Sequence, residues 1–188
     1  VPTPDGKTSR FQVVETPVMA PELQEKYPDI RCYTGQGIDD PGAKIKLDLT
    51  PWGFHAMVMS NKGSYFIDPM VHGNRDFYVV YFKKDYVPKQ ADAAWTCATA
   101  TPDAAFELDT DHNHVTATTP DFQGDTKLRR YRLALACTGE YATYHGGTKP
   151  LVLAAMNTTM NRVNGVYETD LAITMRIVAN NDLLIYLN

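Results

Sequence analysis

The chain has 188 residues, of which 44% are hydrophobic and 21% are charged, and its formal net charge is -4. This composition is that of an ordinary globular protein with enough apolar residues for one core or two small ones. Acids and bases are interspersed, and no apolar run approaches the roughly 20 residues that span a bilayer. We therefore expect neither nucleic acid nor a membrane as a partner.

The first half of the chain carries short strand patterns separated by turn residues. Residues 44–49 alternate strictly between apolar and polar side chains, which places Ile45, Leu47 and Leu49 on one face of a strand. Further strands are predicted over residues 11–14, 54–59, 64–67 and 77–82. The last four strands have short connections, so we predict an antiparallel meander. The helix expected in this half is a short one, over residues 21–26.

The pattern changes beyond a polar stretch near residues 118–130. A strand is predicted over residues 131–138 and another over residues 173–178, with a long helix between them. A strand, a long helix and a second strand in this order are the usual start of an α/β layer with a right-handed crossover. The second half is therefore predicted to differ in fold class from the first.

The long helix has identifiable ends and one apolar face. Thr148 is a suitable N-cap, and Pro150 lies in the first turn, where its missing N–H does no harm. Gly165 suits the end of the helix. The apolar face consists of residues spaced by four, four and three positions, namely Val152, Met156, Met160 and Val163.

Three cysteines leave at least one thiol unpaired within the chain. Cys137 lies on an apolar strand and is expected to be a buried small hydrophobe. A disulfide between Cys32 and Cys97 stays open, because sequence does not fix the geometry that such a bond needs.

Some residues before position 121 have the types found among metal ligands. Residues 109–113 begin like a calcium loop, but they lack the required glycine, and Pro120 stands where a bidentate glutamate belongs. Calcium is therefore unsupported there, and we expect the polar tip of a hairpin over residues 105–118. His112 and His114 share a strand face without a third ligand, so zinc is not expected at that place.

Other polar residues are given structural interpretations. His55 lies in a predicted strand and His72 in a turn, so both are expected to be structural or to face solvent. Asn157 begins a glycosylation sequon, but it falls within the predicted helix, where we expect no modification.

Two blocks in the second half are more specific than their periodicity. They read Arg-Leu-Ala-Leu-Ala-Cys-Thr-Gly-Glu-Tyr at 132–141 and Asn-Thr-Thr-Met-Asn-Arg-Val-Asn-Gly at 157–165. With the strand pattern that follows, they resemble the reprolysin-like branch of the metzincin zinc peptidases, in the form found in secreted bacterial enzymes. The resemblance implies the first strand, helix and second strand of a catalytic domain in an extracellular enzyme.

The same resemblance implies that this chain lacks the catalytic residues. In the family, zinc is bound by an HExxHxxGxxH motif well downstream, and the glutamate of that motif acts as general base on the zinc-bound water. No HExxH occurs in the 188 residues. Zinc and catalysis are therefore expected in the complete parent, and the rest of the catalytic domain is the expected partner. Glu140 and His145 are assigned no acid/base role, since the resemblance places them on a surface connection remote from the zinc.

The first half then also acquires an interpretation. Tyr-Thr-Gly-Gln-Gly-Ile-Asp-Asp-Pro at 33–41 and Gly-Phe-His-Ala-Met at 53–57 look like the propeptide of such a peptidase. The expected fold class is α+β, with a β-rich antiparallel prodomain over residues 1–125. Residues 126–188 would be the strand–helix–strand part of an α/β catalytic domain. In the family, such a prodomain assists folding and keeps the enzyme latent towards its peptide or protein substrates.

Two side chains of this chain are candidates for a zinc ligand that keeps the enzyme inactive until the prodomain is removed. Cys97 is a thiol in the trailing part of the prodomain, and a thiolate is an excellent zinc ligand. Asp125 ends a Phe-Gln-Gly-Asp sequence. This sequence matches the F-x-G-D motif with which astacin propeptides place an aspartate on the metal. A purely steric block is the third mechanism. Lys127, Arg129 and Arg130 would suit a trypsin-like or dibasic processing enzyme, or they solvate a domain edge.

A function of another class stays open at this point. The first half could be a non-enzymatic extracellular β-rich module for binding or adhesion that ends in an α/β segment. Its expected contacts would be the aromatic residues Trp52, Tyr65, Tyr78 and Tyr81. Alternating aromatic residues also pack within sheets, and an HExxHxxGxxH motif further along the parent polypeptide would decide for the peptidase.

Overall fold

The computed structural model describes residues 1–87 and 127–187. The described residues up to 86 and from 128 onward belong to one compact unit. The predicted hairpin over residues 105–118, the two histidines within it, Cys97 and Asp125 lie outside the described residues. The boundary predicted between residues 125 and 126 therefore stays a prediction.

An antiparallel sheet of six strands dominates the amino-terminal part, so the chain is of the α+β class with a β-rich part. Each strand pairs with the next one along the chain, which confirms the predicted meander. The strands are β1 (Phe11–Glu15), β2 (Arg31–Gly37), β3 (Lys44–Thr50), β4 (Gly53–Met59), β5 (Tyr65–Pro69) and β6 (Tyr78–Phe82). Helix α1 (Pro21–Lys26), the short helix predicted at these residues, connects β1 to β2, and a 3₁₀ turn (Lys83–Asp85) follows β6.

Strand β2 was not expected from the sequence, because its glycines weaken the strand signal. Gly35 pairs with Val13 on one side and with Ile45 on the other. A Cβ atom at Gly35 would lie 2.6 Å from Val13 Cγ1 and 2.8 Å from the carbonyl oxygen of Gln12. The glycine is therefore required by the close approach of neighbouring strands, and it does not mark a loop.

The carboxyl-terminal part contains the predicted strand–helix–strand unit. Its elements are strand β7 (Arg129–Leu133), helix α2 (Gly139–Tyr144), helix α3 (Lys149–Asp170), strand β8 (Ile173–Ile177) and a 3₁₀ turn (Asn181–Leu184). Strands β7 and β8 pair in parallel, which confirms that the long helix is a crossover between two parallel strands. Strand β7 begins and ends earlier than predicted.

The predicted end of the long helix is wrong. Helix α3 continues past Gly165 to Asp170, and Thr148 is its N-cap residue without making a side-chain capping hydrogen bond. A Cβ atom at Gly165 would lie 2.7 Å from Met57 Cε and 3.0 Å from Lys46 Cγ. The glycine therefore allows the helix to approach the sheet closely, and it does not terminate the helix.

Two apolar clusters stabilise the unit. One lies between helices α1 and α3 and the sheet, and it unites residues from both described parts of the chain, among them Met19, Leu23, Ile30, Cys32, Val152, Leu153, Met156 and Ile177. The other contains Ile45, Leu47, Ala56, Val58, Tyr65 and Ile67. Among the described residues, no helix has both the length and the apolar character needed to cross a membrane.

The chain also connects its two parts through backbone hydrogen bonds. The amide of Ala20 donates to the carbonyl of Ile177 at 2.8 Å, and the amide of Ile177 donates to the carbonyl of Val18 at 2.9 Å. The segment that follows strand β1 therefore runs beside strand β8, so the two parts share main-chain pairing as well as a core.

Candidate functional site

Polar side chains line the contact between the six-stranded sheet and helix α3. We call this set the polar seam. Its sheet members are Lys46, Asp48 and Asp68, and its helix members are Thr158, Asn161, Arg162 and Glu168. The helix members recur at spacings of three, one and six positions, so they lie along one side of the helix. The seam consists of separate groups of contacts along one side of the helix.

The ion pair between Lys46 and Glu168 ends the seam near the carboxyl terminus of helix α3. Lys46 Nζ lies 2.6 Å from Glu168 Oε2, and the lysine side chain is only 5% exposed. Lys46 also donates to Thr34 Oγ1 at 2.9 Å. The other carboxylate oxygen of Glu168 accepts a hydrogen bond from Thr174 Oγ1 at 2.8 Å. One glutamate therefore holds together strand β3, helix α3 and strand β8.

The middle of the seam is built around the buried carboxylate of Asp48. Thr158 Oγ1 donates to Asp48 Oδ1 at 2.7 Å, and His55 Nδ1 lies 3.1 Å from the same oxygen. Asn161 Nδ2 donates to the carbonyl oxygen of Leu47 at 3.0 Å. Both donors on the helix thus bind strand β3 at neighbouring positions, which fixes the register of helix against strand.

The third contact of the seam joins helix α3 to strands β5 and β6. Arg162 donates to Asp68 Oδ1, and its guanidinium carbon lies 5.2 Å from the centroid of the Phe66 ring. Tyr81 donates its hydroxyl to Asp68 Oδ2 at 2.8 Å. Burial and the neighbouring Asp68 carboxylate raise the pKa of Tyr81 to about 12, so the hydroxyl stays a donor at neutral pH.

Asn157 lies beside the seam and faces the apolar cluster. Its Nδ2 donates to Cys32 Sγ at 2.8 Å, and Asn157 itself is buried. Cys32 carries a free thiol, and burial raises the pKa of that thiol, so it is an inert core residue. The expectation that Asn157 is not modified agrees with this burial, because a glycosylated side chain must reach solvent. Cys137 is also a free thiol, but it is half-buried and not fully buried as predicted.

A cluster of rings joins the β3–β4 turn to the start of helix α3. Trp52 Nε1 donates to the carbonyl oxygen of Leu151 at 2.8 Å. The ring centroid of His72 lies 4.2 Å from that of Trp52 and 5.6 Å from that of His145. The Tyr141 ring packs at a tilt against His145, with centroids 4.4 Å apart. His72 is thus exposed and packs on Trp52, and His55 contacts Asp48, which agrees with the expectation that both histidines are structural or face solvent.

The residues expected for processing lie at the start of the carboxyl-terminal part. Arg129 and Arg130 belong to strand β7 and pair with Ile173 and Thr174 of strand β8, whereas Lys127 precedes the strand. Cleavage directly after either arginine would interrupt a paired strand. Whether any of the three residues directs processing stays a prediction.

Within residues 1–87 and 127–187, no cluster of three or more His, Cys, Asp or Glu side chains is arranged to hold a metal ion. This part of the chain therefore offers no set of side chains that fits a catalytic zinc ion. The two proposed latency ligands, Cys97 and Asp125, lie outside it.

Sequence reasoning did not find the polar seam. Lys46 and Asp48 occupy the polar positions of an alternating strand, which ordinarily face solvent, and only the structure shows that helix α3 covers them. A signal was nevertheless present in helix α3. It carries Asn157, Asn161 and Asn164 at helical spacing, and all three are buried. Amides recurring on one helix face indicate contact with a polar surface.

Comparison with known proteins assigns a family to one part of the chain. Residues 127–187 match the metallo-peptidase family M12B, reprolysin-like. No curated protein and no solved structure gives a match. The resemblance read from the sequence is thus confirmed for this segment, which is similar to reprolysin-like metallopeptidases. The match includes helix α3 and the helix side of the seam, and it excludes the whole six-stranded sheet.

The ion pair between Lys46 and Glu168 should be strongly coupled. Glu168→Gln leaves the buried ammonium without a counter-charge, so we expect the free energy of unfolding to fall by about 3–5 kcal/mol. In the double variant with Lys46→Met, the loss should be smaller than the sum of the single losses, by about 1–3 kcal/mol. Urea denaturation of the four proteins measures this coupling.

The exposed ion pair between Arg31 and Glu15 provides the matched control. Its guanidinium and carboxylate lie 2.7 Å apart at the edge of the same sheet. The corresponding cycle with Arg31→Met and Glu15→Gln should show much weaker coupling, because solvent screens exposed charges. Equal coupling in the two cycles would contradict the role given to burial.

A second prediction concerns His145 and pH. Burial and the neighbouring His72 lower the pKa of His145 below its usual value. The unfolded chain therefore binds a proton more readily, and stability is lost as the pH falls from about 6.5 through the folded pKa. Between about pH 7.5 and pH 5, we expect the free energy of unfolding to fall less in His145→Gln than in the wild type.

A variant of the neighbouring histidine separates the two causes. In His72→Gln the repulsion is gone but the burial of His145 remains, and burial is the larger cause. The pH-dependent loss should therefore shrink without vanishing, as measured by urea denaturation at several pH values. A His145→Gln protein with the pH dependence of the wild type would refute this explanation.

Proposed function

We propose that the chain is part of the zymogen of a secreted zinc-dependent endopeptidase. Residues 1–125 are the prodomain, and residues 126–188 are the first part of the catalytic domain. The prodomain provides the surface on which this part of the catalytic domain folds, and it keeps the enzyme latent until it is removed. Peptides or proteins are the substrates of the complete enzyme.

The observation that carries this proposal is the packing of helix α3. The helix belongs to the segment that matches the metallopeptidase family, and it lies on a sheet that the match excludes. Two strands and two helices bury little apolar surface by themselves. The apolar cluster of the unit draws residues from both parts, so the sheet supplies the hydrophobic partner that the segment lacks.

The composition of the seam supports a contact that can later be separated. An interface meant to be permanent is usually apolar, like the interior of a domain. Here Lys46, Asp48 and Asp68 face Glu168, Thr158 and Arg162, which are groups that water solvates well once the surfaces part. Buried charge pairs add little net stability, but a wrong register would leave their charges unpaired. The seam therefore favours one register for the helix during folding.

Strand β7 supports the proposal that further catalytic-domain residues complete the fold. Within the described residues, β7 pairs with β8 alone, in a sheet of two strands. An open strand edge is a template for another strand. We propose that the remainder of the catalytic domain covers this edge, either in the same polypeptide or as a separate chain after cleavage.

Members of the M12B family are in general zinc-dependent, and bound zinc makes water a nucleophile at neutral pH. The ligands for that zinc would come from the remainder of the catalytic domain. In the latent enzyme, Asp125 or Cys97 would occupy the open position on the metal, unless the block is purely steric. Lys127, Arg129 and Arg130 mark the region where removal of the prodomain would be directed.

The alternative function, a β-rich adhesion module, would use four aromatic residues as its contacts. In the structure these side chains are engaged within the protein. Trp52 and Tyr81 donate hydrogen bonds within the protein, to Leu151 and Asp68 respectively. Tyr78 accepts one from the amide of Phe54, and Tyr65 is buried. These side chains stabilise the fold, so they do not form a prepared contact surface.

Refolding of the parent enzyme tests the folding role. The catalytic domain beginning at residue 126 is refolded alone or with residues 1–125 added as a separate chain. We expect peptidase activity to recover only with the added prodomain, and Asp48→Ala in the prodomain to reduce that recovery at least several-fold. Lys62→Ala, an exposed change away from the seam, serves as the control. Full recovery of the catalytic domain alone would refute the proposal.

The latency mechanism is tested separately in the full-length zymogen. Loss of the true zinc-blocking ligand should produce peptidase activity before the prodomain is cleaved. Asp125→Ala and Cys97→Ala are therefore compared in a cleavage assay with a peptide substrate. Unchanged latency in both variants would leave the steric block as the mechanism.

A further inference from the structure

The sheet formed by strands β7 and β8 carries arginines on the face opposite helix α3. Ile177 belongs to the apolar cluster beneath the helix, and Leu133 and Met175 pack against that cluster. Side chains alternate between the two faces of a sheet along each strand. The residues at the intermediate positions therefore lie on the other face, and they include Arg130, Arg132 and Arg176. We call these three side chains the arginine face.

The positive charges of the arginine face lie close together. Arg132 lies opposite Arg176 in the parallel register of the two strands. Arg130 precedes Arg132 by two positions, which is about 6.6 Å along the strand. Burial, and then the charge of Arg130, lower the pKa of Arg176 below its usual value. Like charges opposite one another destabilise a sheet, so negative charges placed nearby would stabilise this one.

Within residues 1–87 and 127–187, no aspartate or glutamate forms an ion pair with the arginine face. By contrast, Arg10, Arg31 and Arg162 each pair with a carboxylate of the same part of the chain. The arginine face is therefore a cluster of positive charge that lacks counter-charges among the described residues.

The edge of strand β7 determines what shape of partner can supply these counter-charges. In the part of the chain that the structure describes, β7 pairs with β8 alone, so the backbone groups of its other edge are open to a further strand. Alternate side chains of an added strand would lie beside Arg130 and Arg132, because both strands repeat at the same spacing. The remaining side chains would lie beside Tyr131 on the opposite face, where this aromatic residue is 53% exposed.

We infer that the strand that covers β7 is an extended segment in which acidic residues alternate with apolar ones, the acids facing Arg130 and Arg132. Its apolar side chains cover Tyr131, and the charge of Arg176 adds to the attraction from the neighbouring strand. The inference rests on the proposed function, because we assign this strand to the remainder of the catalytic domain. Its test nevertheless requires neither that domain nor peptidase activity.

A synthetic peptide in which glutamate alternates with valine provides the probe. It is titrated into the isotopically labelled chain of 188 residues, and the NMR shifts of the backbone amides report binding. We expect saturable shifts, with one peptide to one chain, that are largest for residues 129–133. Replacing each glutamate of the peptide by glutamine should weaken binding by roughly three- to tenfold, because the exposed charge pairs are lost.

A peptide with the same side chains and a fully N-methylated backbone separates strand pairing from charge attraction alone. It keeps the negative charges but has no N–H group to donate to β7, so we expect its binding to be lost. Equal binding of the methylated and unmethylated peptides would show that the arginine face attracts anions of any shape. That result would overturn the inference of a strand.

Two variants of the protein make the test specific. Arg132→Gln should weaken binding of the glutamate peptide by roughly two- to fivefold. It should melt no lower than the wild type, because it removes a like charge opposite Arg176. Arg31→Gln, which changes an exposed arginine of the six-stranded sheet, should leave binding unchanged.

The inference fails if the glutamate peptide does not bind saturably, or if the glutamine peptide binds equally well. Equal affinity of Arg132→Gln and the wild type for the glutamate peptide would also overturn it. The folding role of the prodomain is tested separately by refolding the parent enzyme, so either proposal can fail while the other stands.

Discussion

The structure depends on how helix α3 lies against the polar side of strand β3. Lys46, Asp48 and the carbonyl of Leu47 each bind a side chain of the helix, so the contact is specified by three neighbouring positions of one strand. Gly165 removes the side chain that would otherwise keep the helix away from Met57. A close approach over a charged surface is costly unless its buried polar groups find partners, and those of the seam do except Arg162 Nε. That requirement explains why the helix face is rich in amides and hydroxyls.

This constraint connects the fold to the proposed function. The part of the chain with a metallopeptidase relationship does not carry a complete core, and its helix uses the sheet as partner. The paired charges of the seam select one arrangement of helix against sheet, and the shared apolar cluster supplies the hydrophobic burial. A folding template needs both properties.

Much of the fold follows from sequence patterns, because strands with alternating residues and a long helix with regularly spaced apolar residues carry local signals. The meander, helix α1 and the parallel crossover are of this kind. Two glycines were harder to interpret. Gly35 weakened the signal of β2, and Gly165 suggested a helix end, yet both allow close approach between elements that are distant in sequence. The seam was also hidden, since the burial of Lys46 is a tertiary effect that alternation along one strand does not contain.

Native-state hydrogen exchange of the intact chain tests most directly whether sheet and helix form one cooperative unit. The account predicts that the slowest amides of helix α3 open with the same free energy as the slowest amides of strands β3 and β4. They should also respond equally to low concentrations of denaturant. Exchange of helix α3 and strand β8 at a clearly lower free energy, while β3 and β4 remain protected, would contradict the account. The metallopeptidase segment would then be an independent part of the structure, without need of the sheet.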